Sequence, residues 1–173
     1  MTNNRIRKIT PDGIINTIAG QNAAGFSGDN GPAGFASLNK PTGIAVDASG
    51  NIYFADTGNQ RLRKIDTRGV ITTVAGTGTT GWSGDNAAAA SAQLNMPESV
   101  SIDAAGNIYV ADTGNHRVRR ISPQGIITTV AGSDPGAGDN GPAANALLFQ
   151  PSGLVFDSSG NLYVSDTQNN RVR

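Results

Sequence analysis

Apolar and polar positions alternate in short runs along this chain, and the runs are separated by glycine, asparagine, aspartate and proline. From Gly43 to Asp47 the residues Ile44 and Val46 share one face, and Ser49-Gly50-Asn51 then turns the chain into Ile52 to Asp56. Thr57-Gly58-Asn59 turns it again into Arg61 to Ile65. Asp66 to Gly69 leads on to Val70 to Ala75, where Val70, Thr72 and Val74 oppose Ile71, Thr73 and Ala75. This pattern predicts four antiparallel strands, here called a, b, c and d, joined as a meander.

The pattern recurs with a period of about 56 residues. Gly50 to Gly76 reappears as Gly106 to Gly132 with mostly conservative changes, and Gly160 begins a third copy that stops at Arg173. An N-x-R triplet starts at Asn3, Asn59, Asn115 and Asn169 and closes on Arg5, Arg61, Arg117 and Arg171. The single domain predicted for residues 1–173 thus holds strands c and d over 5–18, full repeats over 41–76 and 97–132, and a partial repeat over 151–173. Each strand d is followed by a longer connection containing Gly-Asp-Asn (Gly28, Gly84 and Gly138) and a run of small residues that ends in Leu38, Leu94 or Leu148. Those runs predict a short helix capped by the preceding Asp or Asn, with Pro32 or Pro142 at its start and the leucine plugged onto the sheet.

Repeated four-stranded meanders with small and apolar residues on both faces predict an all-β fold, a β-propeller of four-stranded antiparallel blades, with short helical turns in the d-to-a connections and three blades' worth of strands per chain. The unit P-x-G-[IV]-[AS]-[VI]-D-x-x-G-N-[IL]-Y-[FV]-[AS]-D-[TS]-x-N-x-R-[ILV]-[RK] resembles the NHL repeat, in the long version with Gly-Asp-Asn connections common in bacterial proteins. The resemblance covers essentially the whole chain. It implies a propeller that usually closes with six blades, in a family that includes RNA-binding and protein-binding domains and a lyase of amidated-peptide synthesis.

Both ends fall inside repeat units, which suggests a segment of a longer or engineered array. Three blades alone would expose two apolar sheet faces, so two chains are expected to complete one six-bladed ring. At each seam Asn3, Arg5, Ile6 and Arg7 of one chain and Asn169, Arg171, Val172 and Arg173 of the other are expected to compete for one strand position. The expected partner is therefore a second copy of the chain.

Thirteen basic residues balance thirteen acidic ones, so no overall field favours nucleic acid or a membrane surface. There is no cysteine, which excludes disulfides and thiolate metal sites. The polar start MTNNRIRKI carries no secretory leader, and no apolar run is long enough to span a bilayer. The chain reads as soluble, with its compartment undetermined and an extracytoplasmic parent protein left open.

Candidate chemistry recurs with the repeat, which favours architecture over catalysis. Asp56, Asp112 and Asp166 end strand b and are expected to pair with Arg61, Arg117 and Arg171 across the b–c corner. Eleven of the thirteen basic residues lie in strand c. If Arg63 and Arg119 faced solvent they would contribute to a basic band, the alternative reading being RNA or polyanion binding, although no aromatic residues interleave with them. Phe26 and Trp82 share a position before Ser-Gly-Asp where the third copy has Ala137, and packing or a partner contact is expected there. His116 is the sole histidine, so a metal-dependent lyase or hydrolase with an axial site is a third, weaker reading. No catalytic residue, metal ligand or cofactor is expected, and the chain reads as a non-catalytic interaction scaffold.

Overall fold

The computed structural model describes residues 3–133 and 138–173. Its strands are β1 (Ile6–Ile9), β2 (Ile15–Ala19), β3 (Gly31–Pro32), β4 (Pro41–Val46), β5 (Ile52–Asp56), β6 (Arg61–Ile65), β7 (Val70–Ala75) and β8 (Ala87–Ala88), followed by β9 (Pro97–Ile102), β10 (Ile108–Asp112), β11 (Arg117–Ile121), β12 (Ile126–Ala131), β13 (Pro151–Phe156), β14 (Leu162–Asp166) and β15 (Arg171–Val172). Among the described residues they form a β1–β2 pair, two five-stranded sheets ordered β3-β7-β6-β5-β4 and β8-β12-β11-β10-β9, and a three-stranded β13-β14-β15 sheet. The sheets are antiparallel and together they do not close into a ring.

Strands a of successive blades, β4, β9 and β13, run side by side. Gly43 shows how close they come, since a Cβ there would sit 2.6 Å from the Cα of Ser99. The Thr42 hydroxyl donates to the Glu98 carbonyl at 2.8 Å, and Leu154 N–H donates to Ser99 Oγ at 3.1 Å, so the inner strands are stitched between blades. Apolar clusters fill the spaces between successive sheets. Phe54, Ile65 and Ile71 pack with Ile6 and Ala19 on one side of the first full blade, while Leu62 and Ala75 pack with Val100, Val110 and Ile127 on the other.

The connections differ from expectation in one respect. Each small-residue run forms only a single 3-10 turn, Ala33–Phe35, Ala89–Ser91 or Ala143–Asn145, and none has a side-chain cap. The aspartate expected as cap is drawn instead toward a buried arginine. Just before the first two turns, Gly31–Pro32 and Ala87–Ala88 pair with β7 and β12 as a fifth, outer strand. An open strand d would invite pairing with another chain, and this short strand covers part of that edge. Leu38 and Leu94 are fully buried and Leu148 nearly so.

Each a–b turn is organised by one aspartate. Asp103 accepts from the backbone N–H of Ala105 and Asn107, from the Asn107 amide and from the Tyr109 hydroxyl. Asp47 and Asp157 make the equivalent bonds. Burial opposes the charge on Asp103, but these donors outweigh it and hold its carboxyl below the ordinary value of 3.8. A carboxylate with a depressed folded-state pKa stabilises the fold above its unfolded value, and that contribution is lost as pH falls through the folded value. Asp103→Asn is therefore expected to lose less stability than the parent when urea unfolding is compared at pH 5 and pH 3. An identical loss in both proteins would contradict this role.

Candidate functional site

The strongest concentration of charge lies inside the blades. Arg63 and Arg119 are completely buried, the largest side chains to be so. Arg63 donates to Asp56 Oδ2 at 3.1 Å, to Asp29 Oδ1 at 2.8 Å and to the Ser27 carbonyl at 3.1 Å. Thr73 donates to the second oxygen of Asp29 at 2.7 Å. Arg119 repeats the arrangement with Asp112 at 3.4 Å, Asp85 at 2.8 Å and the Ser83 carbonyl. Arg173 takes Asp166 at 3.2 Å and also Asp139.

Two expectations are corrected by this geometry. Asp56, Asp112 and Asp166 pair with Arg63, Arg119 and Arg173, not with Arg61, Arg117 and Arg171. Asp56 and Arg61 do sit directly opposite in the ladder, but Arg63, two residues on and on the same face, reaches back along the diagonal. A bulge between Leu62 and Arg63 in the β6–β7 pairing falls at the same point. Arg63 and Arg119 are thereby removed from any solvent-facing basic band.

Asp56 also accepts from Asn59 at 2.9 Å and from Asn39 N–H at 2.8 Å. Burial pushes its carboxyl and that of Asp112 above the ordinary range, against the pull of these donors and of the arginines. Asn59 and Asn115 extend the network to the carbonyls of Gly25 and Gly81. Each cluster thus binds the end of strand b, the middle of strand c and the Gly-Asp-Asn connection into one unit.

The first arginine of each pair lies further out. Arg61 stands 3.7 Å above the Phe26 ring and Arg117 stands 4.2 Å above the Trp82 ring, with Arg117 also donating to the Gly132 carbonyl. Ala137, the third-copy equivalent of these aromatics, lies outside the described residues. The variable residue of N-x-R adopts a left-handed backbone and ties one blade to the next: Asn4 Oδ1, Gln60 Oε1 and His116 Nδ1 accept from Lys40, Met96 and Gln150 N–H. Sequence reasoning missed this staple because the residue type varies while the acceptor does not. Among the described residues no three His, Cys, Asp or Glu side chains come together to hold a metal, and no helix is long and apolar enough to cross a membrane.

The two ends present open surfaces. On β1 and β2, Ile9 and Ile15 are exposed, as is Arg7, which stands where Arg63 stands in the next blade. Ile44 and Val46 on β4 are uncovered, whereas in the next repeat Val100 is buried and Ile102 partly buried against the preceding blade. At the far end Val155, Tyr163 and Val172 are exposed. Arg171–Val172 pairs with β14 in the position of a strand c.

Removing one member of a buried cluster leaves unpaired charge in a dry site. Arg119→Ala is expected to cost about 3–5 kcal/mol of stability in chemical denaturation. Arg68→Ala, which breaks an exposed pair with Asp66, is expected to cost about 1 kcal/mol or less. Equal effects would show that the buried arginine is not a structural centre.

Comparison with known proteins agrees with this architecture. The model of the teneurin NHL domain matches residues 24–83, and that of the NHL repeat matches residues 94–121 and 150–173. Teneurin-1 of Mus musculus is 28% identical over 84% of the chain, which spans only 8% of that protein. A solved protein of unknown function from Bacteroides thetaiotaomicron superposes with a TM-score of 0.77 at 20% identity, covering 98% of this chain and 41% of its own. Virginiamycin B lyase from Staphylococcus aureus does so with a TM-score of 0.59 at 18% identity, covering 98% and 44%. At such identities the structural likeness concerns the fold. With its repeated units, its meander blades and both family models in agreement, the chain belongs to the NHL-repeat family of β-propellers.

Proposed function

We propose that the chain is a non-catalytic protein-interaction module whose first partner is a second copy of itself, two chains closing one six-bladed ring. The observation that carries this reading is the complementarity of the two open ends. Inside the chain, Ala45 and Tyr53 of one blade pack against the cluster formed around Val100 and Ile108 of the next. Val155 and Tyr163 occupy the same places on the last blade, and among the described residues no further blade covers them. Ile44 and Val46 offer the surface that such residues cover elsewhere. Apolar faces of this kind favour association over exposure to water.

The charged clusters supply the register. Arg7 is the repeat equivalent of Arg173, and among the described residues no carboxylate pairs with it as Asp139 and Asp166 pair with Arg173. A strand c from the second copy would bring Arg7 into that cleft and Ile6 into the place of Val172. The chain's own tail holds this position, so assembly requires it to yield. A head-to-tail contact closes when the rotation per chain divides a full turn, and three blades supply half of a six-bladed ring.

Light scattering at micromolar concentration is expected to give twice the chain mass. Tyr163→Glu at one end or Ile15→Glu at the other is expected to return the monomer, and removal of residues 169–173 is expected to raise the dimer fraction. A monomer at that concentration, with or without the tail, would overturn the reading and leave these faces to other partners.

A further inference from the structure

The repeats provide an internal control: a residue shared by every copy serves the scaffold, and one that departs from the others asks for another reason. Several departures meet at one place. A cavity of about 290 Å³ lies where the b–c corner at Asn115–Arg117 meets the connection into β13, and Trp82, His116, Arg117, Leu147, Leu148 and Phe149 line most of it. Leu148 and Arg117 recur in the repeat. Trp82 replaces Phe26, His116 replaces Gln60, Leu147 replaces Gln93 and Phe149 replaces Asn95.

Phe149 has a traceable cause. In the earlier blades Asn39 and Asn95 lie flat against Gly58 and Gly114, where an added Cβ would come within about 2.5 Å of the amide. The third copy carries Gln168 in place of that glycine. Its side chain denies the residue at 149 the old site, although the backbone bond from Gln168 N–H to the Phe149 carbonyl is kept at 3.0 Å. The Phe149 ring packs instead beside His116, with ring centroids 4.9 Å apart. Trp82, Leu147 and Phe149 each remain about half exposed. A folded chain that needed only a scaffold would place polar residues there, as the preceding blade does with Gln93 and Asn95.

The polar groups define what fits among these rings. Arg117 is held face-on to Trp82, and among the described residues no carboxylate stands within salt-bridge distance of it. His116 accepts from Gln150 N–H through Nδ1 at 3.1 Å, which assigns its proton to Nε2 and leaves that atom a donor. We propose that this pocket binds an aromatic carboxylate: one planar ring between Phe149, Leu147 and Trp82, with the acid group toward Arg117 and His116. The volume suits a single ring with a short acidic arm, at the small end of ligand sites. An aromatic residue at a peptide C-terminus and a free aromatic acid share this chemistry. Every lining residue comes from one chain, so the site does not depend on ring closure.

Trp82 is the sole tryptophan of the sequence, so its fluorescence reports on the pocket directly. N-acetyl-phenylalanine and the peptide acetyl-Gly-Gly-Phe, both with free carboxylates, are expected to change its emission saturably. N-acetyl-phenylalanine amide is expected to bind at least about tenfold more weakly, as loss of a charge-assisted contact requires. Tighter binding of the peptide would identify a chain terminus as the natural source, and equal binding a free acid. The triple change Leu147→Gln, Phe149→Asn and Gln168→Gly restores the preceding blade's residues and is expected to abolish the response with the fold intact by circular dichroism. Should that variant unfold, His116→Gln, which keeps an acceptor for Gln150, is expected to weaken binding several-fold. No saturable change with either acid, equal affinity for acid and amide, or an unaltered response in these variants would overturn the assignment.

Discussion

A fully buried guanidinium between two carboxylates is the constraint on which this molecule turns. Arg63 and Arg119 have left water entirely, and a charge so placed is tolerated only where opposite charges stand close to it. The partners come from separate parts of the chain: Asp56 ends strand b, and Asp29 lies in the connection that precedes the blade. The same cluster therefore sets the b–c register and folds the connection back over the blade. Loss of the aspartate in the connection would free a segment that otherwise carries the outer strand at Gly31–Pro32.

The strands, their turns and the buried leucines are legible in the sequence because each rests on a local periodicity repeated several times. Four strands per full unit follow from alternation alone. The short fifth strand does not, since two residues carry no period. Nor does the choice between Arg61 and Arg63 as partner of Asp56. Both arginines point to the same face of strand c, and only the bulge and the burial of the connection decide which one turns inward. The helical turns form, but the expected side-chain cap fails for a related reason. Asp29 would cap a helix if nothing stronger competed, but a buried cation outbids an exposed backbone N–H for a carboxylate.

Repetition also explains why the open ends carry more meaning than their residues suggest. Tyr53, Tyr109 and Tyr163 are the same residue in the same strand, yet only Tyr163 is about half exposed. Its side chain is suited to an interface by the repeat itself, and so is Ile44 at the other end. A repeat array solves one packing problem at every blade boundary, so any uncovered boundary already fits a further blade of the same kind. Whether the next blade belongs to a second copy or to another part of a larger chain, the surface it must present is fixed by this rule.

The same rule isolates what packing does not require. Gln168 and Phe149 depart together, and the first accounts for the displacement of the second, so the pair reads as one change with two parts. Leu147 and His116 extend it onto neighbouring turns of the chain. None of the four improves a blade boundary, because the preceding boundary is built with Gly114, Asn95, Gln93 and Gln60 and buries its leucine fully. Exposed rings beside an arginine that lacks a described carboxylate are poorly explained by stability. They are explained by something that comes and goes, and a scaffold of near-identical blades is well suited to display such a site because everything around it is held in place by parts that repeat elsewhere.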